Sequence, residues 1–287
     1  MSDSVQMFRD LHQNASPLKL ANVWDAASAK IAEVAGATAV ATTSAGVAWS
    51  LGYVDGRMMP IQEAVDAAER MVRVLNVPLS VDFEHGYSHD PTQVGENIKR
   101  LLGIGIAGIN IKDGFCAPEE LVAKIESIRT VAAHMGQDIF INARCDVFLA
   151  KLALESQMVR ESIIRGRMYA IAGADGLFLP ALHKPEDIKA VVAEVDLPLN
   201  VMSWSSLPPV QELGSLGVRR LSVGFGIAHT IWGKTDEMIR AFLSDAGLVL
   251  GSEKNITYGK LQSFFSSEPS FHTRAGIAEP VIGRSDV

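Results

Sequence analysis

The sequence predicts a single-domain (β/α)₈ barrel of the TIM type, and three observations support this fold class. The chain has 287 residues, which is close to the usual size of one such barrel. Helical stretches repeatedly end in glycine, as in AEVAGAT and YAIAGADG, and a short apolar segment follows each of them. Eight such segments alternate with helical patterns, which favours a parallel sheet that closes on itself. A doubly wound open sheet is the alternative.

The eight predicted strands are spaced so that a helix fits between each pair. They are about Lys19–Trp24, Ala39–Ser44, Pro78–Glu84, Ala107–Lys112, Ile139–Arg144, Gly176–Pro180, Leu199–Ser203 and Arg220–Gly224. We expect residues 1–265 to form the barrel domain, with an N-terminal helix and C-terminal helices. Residues 266–287 are rich in Ser, Pro and Gly, which predicts an extended or mobile tail.

The composition argues against several classes of protein. The net charge is −7 and no long basic run occurs, which argues against a nucleic-acid partner. No apolar stretch reaches the roughly 18 residues that span a bilayer, so we expect no membrane partner. The N-terminal residues lack the pattern of a secretory signal, and Cys116 and Cys145 form no CxxC clip. We therefore expect a cytoplasmic protein.

Strand alternation predicts which side chains face the barrel interior, because successive residues of a strand point to opposite faces. The third strand directs Asp82 and Glu84 inward, while Val81 and Phe83 face the helices. The polar residues assigned to the interior are Asn22, Ser80, Asp82, Glu84, Asn110, Lys112, Asn142, Arg144, Asn200 and Ser222. The charged members lie at the ends of their strands, which is the catalytic face of this fold.

The charged set allows two interpretations, and spacing alone leaves both open. Asp82 and Glu84 lie two residues apart on one face, so they can hold a hard divalent cation such as Mg²⁺. Alternatively, they form a salt-bridge network with Lys112 and Arg144. The guanidinium of Arg144 also suits the carboxylate or phosphate of a substrate.

Other candidate residues carry weaker signals. The small residues Thr43, Ser44 and Ala45 precede a glycine, and backbone N–H groups in such a segment can approach an anion. A plain turn is the alternative there, as it is for Asp55 in a predicted loop. Cys116 and Cys145 are interpreted as ordinary thiols. His85 and His89 are assigned to the surface or to a supporting role rather than to metal ligation.

Five motifs occur in an order that resembles the isocitrate lyase/phosphoenolpyruvate mutase superfamily. They are Asn22-Val-Trp-Asp-Ala-Ala-Ser-Ala, Thr43-Ser-Ala-Gly, Leu51-Gly-Tyr-Val-Asp-Gly, Val81-Asp-Phe-Glu-His-Gly-Tyr and Asn142-Ala-Arg, within Leu20 to Ile239. The resemblance implies a Mg²⁺-assisted barrel enzyme that makes or breaks C–C or P–C bonds in small 2-oxo or 2-hydroxy acids through enolate-like intermediates. It also implies a homo-oligomer, a dimer or tetramer, in which the last barrel helix is exchanged between subunits.

The resemblance assigns roles to residues of this chain. The backbone of Thr43, Ser44 and Ala45 would bind the substrate carboxylate and the enolate oxygen. Asp55 would lie near the reacting end, on a mobile loop. Asp82 would be the main metal-side carboxylate, and Glu84 would act through water. Arg144 would clamp the substrate; Asn200 is added as a substrate-binding candidate because it faces the interior.

Three features depart from the family pattern. The family has Glu-Asp at the end of the fourth strand, where this chain has Lys112-Asp113. The long loop of the lyases, with its catalytic cysteine, is absent, and Cys116 does not match that motif. Pro180 stands where the mutases have a histidine. Replacing Glu by Lys adds two positive charges, the charge of one Mg²⁺, so an ammonium beside the carboxylates can fill the electrostatic role of the metal.

Three functional hypotheses follow. The first is a lyase, decarboxylase or hydrolase that acts next to the carbonyl of a small 2-oxo acid, with Asp55, Lys112 and Arg144 as catalytic groups. The second is a metal-free aldolase in which Lys112 forms a Schiff base. The third is a catalytically silent barrel that binds an organic acid.

Overall fold

Eight parallel strands form a closed barrel in chain order, β1 to β8, in the computed structural model, which describes residues 2–56, 59–244 and 255–266. This confirms the predicted (β/α)₈ fold and rules out an open sheet. The strands are β1 Leu18–Val23, β2 Val40–Thr42, β3 Leu79–Asp82, β4 Gly108–Lys112, β5 Phe140–Arg144, β6 Gly176–Phe178, β7 Leu199–Met202 and β8 Val218–Ser222.

Helices cover the outside of the barrel. They are α1 Ser2–Leu11, α2 Ala26–Val34, α3 Ser44–Ser50, α4 Ile61–Val74, α5 Pro91–Gly103, α6 Pro118–His134, α7 Met158–Ala172, α8 Pro185–Glu194, α9 Val210–Ser215, α10 Gly226–Leu243 and α11 Tyr258–Phe265. Local sequence sets their ends: Asp25 caps α2 by accepting from the N–H of Ser28. Gly173 ends α7 in the left-handed conformation, at φ 104°. No described helix has the length and apolarity that a bilayer span requires.

The predicted strand ends lie within two residues of those in the structure, and three of the differences matter here. The third strand, predicted to reach Glu84, ends at Asp82, so Glu84 lies in the turn that follows and not on the strand. Ser44 was assigned to the second strand, but it begins α3, because the carbonyl of Thr43 accepts the N–H of Val47 and closes the first helical turn at 3.0 Å. Strand β8 begins at Val218, two residues before the predicted start. The predicted tail, residues 266–287, falls outside the described residues except for Ser266, so it stays a prediction.

A hydrogen-bonded polar layer fills the middle of the barrel. The amide of Asn142 donates to Asn110 at 2.9 Å and to Asn200 at 3.1 Å. Asn200 in turn donates to the hydroxyl of Ser222 at 3.1 Å. These contacts confirm the predicted inward orientation of the four residues. Because buried amides and hydroxyls cost free energy when unpaired, the network satisfies them mutually.

The floor of the barrel is closed by α1 and by a buried arginine that the sequence reasoning missed. His12 stacks on Phe140 with ring centroids 4.3 Å apart, and the guanidinium of Arg220 lies 5.8 Å from the centre of the Phe8 ring. Arg220 donates to Asn110 at 3.0 Å, while its Nε and Nη1 have no hydrogen-bond partner in the described part of the chain. Burial lowers the pKa of Arg220 to about 9.

Candidate active site

The charged residues predicted at the strand ends lie side by side at the C-terminal mouth of the barrel. Asp82 ends β3, Lys112 ends β4 and Arg144 ends β5. Lys112 and Arg144 are register partners on neighbouring strands, and Asp82 is the register partner of Asn110, two residues before Lys112. The parallel strands therefore bring the three charged side chains to the same end of the barrel.

An ion pair between Lys112 and Glu84 lies at the mouth. The Lys112 Nζ donates to Glu84 Oε2 at 2.6 Å, and the two side chains are 22% and 7% exposed. Glu84 adopts a left-handed backbone, φ 55°, which is costly for a residue with a Cβ and is typical of functional sites. Its own N–H donates to Asp82 Oδ1 at 3.2 Å. The turn thereby returns Glu84 toward Asp82 and Lys112.

The pKa values of this pair follow from burial and from the crowding of charges. Burial opposes the ammonium of Lys112, but Asp82 and Glu84 outweigh it and raise the pKa of Lys112. Burial, and then the neighbouring charge of Asp82, raise the pKa of Glu84. Lys112 is therefore a cation at neutral pH, and Glu84 accepts a proton more readily than an exposed glutamate does.

Asp82 is held by its neighbours on the β2 side. Its N–H donates to the hydroxyl of Thr42 at 2.7 Å, and its Oδ2 accepts from the N–H of Ser44 at 3.3 Å. A cavity of about 10 Å³ beside it is lined in part by Thr42, Ser44 and Tyr87. That volume is close to the room required by one water molecule.

Of the three backbone N–H groups predicted to receive an anion, two already have protein acceptors. The N–H of Thr43 donates to the carbonyl of Val23 at 3.0 Å, and that of Ser44 donates to Asp82. The N–H of Ala45 lies in the first turn of α3, where the helix itself supplies no acceptor. Ala45 is thus the best placed of the three toward an anionic oxygen.

Arg144 pairs with Asp146, an acid that the sequence reasoning missed. Its Nε donates to Asp146 Oδ1 at 2.7 Å and its Nη2 to Asp146 Oδ2 at 3.2 Å. The predicted salt-bridge network is therefore correct for Lys112 and wrong for Arg144, which makes no direct bond to Asp82 or Glu84. Extending the strand alternation by one more step would have placed Asp146 on the face of Arg144.

Asp113, next to Lys112, faces the opposite way. Its carboxylate accepts from the hydroxyl of Tyr169 at 2.7 Å, from Arg165 at 2.9 Å and from the N–H of Asp146 at 2.8 Å. The side chain is fully buried. This confirms that Lys112, and not Asp113, is the residue that β4 presents to the mouth.

A comparison with protein families identifies the group to which this barrel belongs. The model of the family described as phosphoenolpyruvate phosphomutase matches residues 8–243. The chain belongs to this family. The resemblance to the isocitrate lyase/phosphoenolpyruvate mutase superfamily is thereby confirmed, and the chain is an enzyme of that kind.

Relatives in this family agree over most of the chain. The uncharacterized protein MT2054 of Mycobacterium tuberculosis (strain CDC 1551 / Oshkosh) is 33% identical over 221 residues, 76% of this chain and 81% of that protein. The oxaloacetate decarboxylase of Pseudomonas entomophila (strain L48) is 28% identical over 219 residues, 74% of this chain and 75% of the relative. A solved structure of a proposed phosphonomutase from Burkholderia cenocepacia J2315 is 38% identical, with a TM-score of 0.79, and covers 83% of this chain and 99% of its own.

A more distant structure shares the fold and contains ligands. It is a phosphonopyruvate hydrolase in complex with oxalate and Mg²⁺, 18% identical, with a TM-score of 0.79 over 91% of this chain and 94% of its own. At that identity the likeness concerns the fold alone.

The remaining two predicted residues lie in different environments. Asp55 is exposed in a turn after α3, close enough to Glu84 for its charge to contribute to the raised pKa of that acid. Residues 57 and 58 of the same loop lie outside the described residues, and the predicted mobility is untested. Asn200 is fully buried inside the barrel, with its amide engaged by Asn142 and Ser222. It is therefore poorly placed to contact a substrate.

Proposed function

We propose that the mouth of this barrel makes or breaks the bond next to the carbonyl group of a small 2-oxo or 2-hydroxy carboxylic acid, through an enolate-like intermediate. The observation that carries the proposal is the convergence of Lys112, Glu84, Asp82 and Arg144 at the strand ends. Membership of the phosphoenolpyruvate phosphomutase family and the similarity to an oxaloacetate decarboxylase support the same class of reaction.

Arg144 binds the carboxylate of the substrate in this proposal. A guanidinium has five N–H donors, and Asp146 engages two of them. The remaining donors are available to an anion, and Asp146 fixes the orientation of the fork. Charge-assisted bonds of this kind are about twice as strong as neutral ones, so Arg144 can hold a two- or three-carbon acid in a single pose.

Lys112 stabilises the oxygen on which charge develops. When the bond to the carbon next to the carbonyl breaks, its electron pair enters the new C=C bond and the carbonyl oxygen becomes anionic. The ammonium of Lys112, already cationic, and the N–H of Ala45 supply positive charge to that oxygen. Removing a single preorganised donor of this type lowers the rate of an enzyme by about 10²–10³-fold.

Asp55 carries the proton or orients the attacking water. Asp55 is exposed in the loop after α3, so it can approach the reacting carbon from the loop side. Its position near Glu84 supports this role, since the two carboxylates lie within electrostatic reach of each other.

The residues of this mouth do not fit the Mg²⁺ that the resemblance implies. A hard cation between Asp82 and Glu84 would need carboxylate oxygens, and Lys112 Nζ already occupies Glu84 Oε2 at 2.6 Å. Lys112 also stands where the family has a glutamate, so the mouth offers an ammonium, which cannot ligate a metal, in place of a further oxygen ligand for Mg²⁺. We therefore propose that Lys112 takes over the charge of the metal, and that the reaction proceeds without it.

Two alternatives are weighed against the same geometry. A Schiff base on Lys112 requires the neutral amine, and the raised pKa of Lys112 disfavours that form. A silent barrel that only binds an organic acid requires the same groups, so it differs from an enzyme in turnover alone.

A substrate panel tests the proposal. Oxaloacetate, phosphonopyruvate and substituted malates are incubated with the protein, and pyruvate, phosphate and carbon dioxide are measured. We expect turnover of at least one acid, loss of that turnover in Asp55→Asn, and full turnover in Glu96→Gln on the exposed face of α5. Thermal stabilisation by oxalate without any turnover would favour the silent barrel and contradict the proposed reaction.

We propose further that the chain is a cytoplasmic homo-oligomer that exchanges α10. This helix presents exposed apolar residues, among them Ile231, Phe242 and Leu243, at 44%, 67% and 76% exposure. A largely apolar groove of about 1130 Å³ lies beside it, lined by residues of β1 and α2 such as Ile31 and Ala35. The α10 of a second copy would cover such a groove, as the family resemblance implies.

Light scattering tests the oligomer. We expect a dimer or tetramer for the native chain and a monomer for Phe242→Glu, because a buried carboxylate has no partner there. Arg240→Glu, on the opposite side of α10, serves as the control and should leave the mass unchanged. A monomeric native chain would contradict the exchange.

A further inference from the structure

A cluster of His89, Cys116 and Glu120 lies outside the mouth, at the same end of the barrel. One ligand atom from each residue falls within 4.8 Å of the other two. His89 is in the loop after β3, and Cys116 and Glu120 follow β4. The two strands that present Glu84 and Lys112 to the mouth thus also bring this cluster together. We infer that these three residues bind one zinc-like divalent cation that bridges the loop after β3 and the segment from the end of β4 to the first turn of α6.

The chemistry of the ligands selects the kind of metal. A thiolate, an imidazole and a carboxylate are the ligands that Zn²⁺ takes, whereas Mg²⁺ prefers oxygen alone. Zinc–ligand distances of about 2.0–2.3 Å require the three atoms to draw closer than they lie here. His89 can supply that movement, because its side chain is 75% exposed, and a bond to the metal would replace the contact of its Nδ1 with Glu120. Bound Zn²⁺ would be neutralised by the thiolate of Cys116 and the carboxylate of Glu120.

Neighbouring groups orient the carboxylate. Glu120 Oε1 accepts from His89 Nδ1 at 3.0 Å and from Lys124 Nζ at 2.7 Å. The Lys124 side chain is 2% exposed and also donates to the carbonyl of His85 at 3.1 Å, so it ties Glu120 to the loop of His89. Metal-ligating carboxylates commonly receive such outer hydrogen bonds.

Water or His85 would occupy the fourth coordination position of a tetrahedral site. The rings of His85 and His89 lie 5.7 Å apart, which allows the second imidazole to join after a side-chain rotation. Three protein ligands with one exchangeable position is the arrangement of accessible zinc sites. The sequence predicts a surface or supporting role for His89; ligation by His89 would depend on residues from separate segments, which linear spacing does not reveal.

Cobalt titration of the full chain tests the inference. Co²⁺ replaces Zn²⁺ and gives a sulfur-to-metal charge-transfer band when a thiolate is a ligand. We expect one such band per chain, displaced by Zn²⁺. Cys116→Ser should abolish the band, and His89→Ala and Glu120→Gln should weaken metal binding at least about tenfold. Glu119→Gln, exposed on the same helical turn, should bind as the native chain does.

Thermal unfolding provides the second readout. Zn²⁺ should raise the melting temperature of the native chain and of Glu119→Gln, because it binds the folded state, and should leave Cys116→Ser unchanged. Metal-free Cys116→Ser must melt at the native temperature, which separates loss of ligation from loss of folding. Binding without a thiolate band, a band that survives in Cys116→Ser, or no zinc binding at micromolar concentration would each overturn the inference.

Discussion

The open mouth of the barrel and the buried interior of the protein differ in how they hold charge. Lys112 and Glu84 form their ion pair at the surface of the mouth, with the lysine 22% exposed. Asp113 is the next residue in the chain, yet it is fully enclosed by Tyr169, Arg165 and a backbone N–H. The difference indicates that the mouth keeps its charges accessible to a ligand, whereas the interior uses them to fix the structure.

The same contrast separates the mouth from the floor. Arg220 is completely buried with two donor atoms unpartnered in the described chain, and His12 beside it lacks a partner for Nε2. Neither is within reach of a substrate at the strand ends. Changes in the interior should therefore alter the free energy of unfolding, and changes at the mouth should alter binding and turnover.

The largest expected effect on stability is at Asp113. Asp113→Ala removes the acceptor of Arg165 Nη1 and of the buried Tyr169 hydroxyl and leaves Arg165 paired with Glu161 alone, so we expect the free energy of unfolding to fall by about 3–5 kcal/mol in urea denaturation. The double variant Asp113→Ala/Arg165→Met also removes the guanidinium that has lost one of its two carboxylate partners, and it should recover part of the loss. A loss below about 1 kcal/mol in the single variant would contradict a structural role.

At the mouth, Lys112→Gln should lower turnover by about 10²–10³, because it removes the charge that stabilises the enolate oxygen. This variant should lose less free energy of unfolding than Asp113→Ala does, because Glu84 can take up a proton once the ammonium is gone. Burial and the charge of Asp82 already raise the pKa of Glu84. Lys112→Arg keeps the charge and should retain measurable turnover. Equal turnover in all three proteins would remove Lys112 from the reaction.

A smaller effect, on ligand binding, is expected at Arg144, which binds the carboxylate of the substrate in the proposed reaction. Arg144→Lys replaces a planar fork by a point charge, and we expect oxalate affinity to fall about 10–100-fold, corresponding to about 1.5–3 kcal/mol for a charged hydrogen bond. Asp146→Asn should lower affinity less, because the guanidinium remains but loses its fixed orientation. Isothermal calorimetry measures both, and unchanged affinity in Arg144→Lys would exclude the clamp.

His12 gives the interior a dependence on pH. Burial, and then the charge of Arg220, lower the pKa of His12 to about 3. The unfolded state, with an ordinary histidine pKa, binds a proton first as the pH falls below about 6.5, so stability should decline toward pH 3 by at most about 1.4 kcal/mol per unit. His12→Phe should flatten this decline, and exposed His134→Phe should not. Parallel curves for the native chain and His12→Phe would contradict the assignment.

The smallest effect is expected at an exposed pair. Glu96 accepts from Lys99 on α5 at 2.6 Å, with side chains about half exposed. Glu96→Gln should change the free energy of unfolding by no more than about 0.5 kcal/mol. A larger change would show that charge pairs stabilise this protein regardless of where they lie.

Sequence alone predicted the fold and the directions of the charged side chains on the strands, whereas Glu84 reaches the mouth through a turn that strand alternation does not describe. Strand alternation is a local property with a period of two, so it placed Lys112 inward and Asp113 outward without knowledge of their partners. Family motifs added the roles of Asp82, Glu84 and Arg144, which the structure leaves as proposals.

What sequence did not provide depends on contacts between distant segments. The bidentate bond of Asp146 to Arg144 and the burial of Arg220 against α1 are fixed by packing, and no spacing rule specifies them. The end of β2 at Thr42 was also missed, because Ser44 has no strong preference for strand or helix and the first turn of α3 decides its state.

Calorimetry of oxalate binding, with Mg²⁺ or with a chelator, tests most directly whether Lys112 replaces the metal. The native chain should bind oxalate equally well under both conditions. Lys112→Glu places at this position the glutamate that the family has, and this variant should bind oxalate only when Mg²⁺ is present. If the native chain loses oxalate in chelator and regains it with Mg²⁺, the ammonium does not substitute for the metal, and the central claim is contradicted.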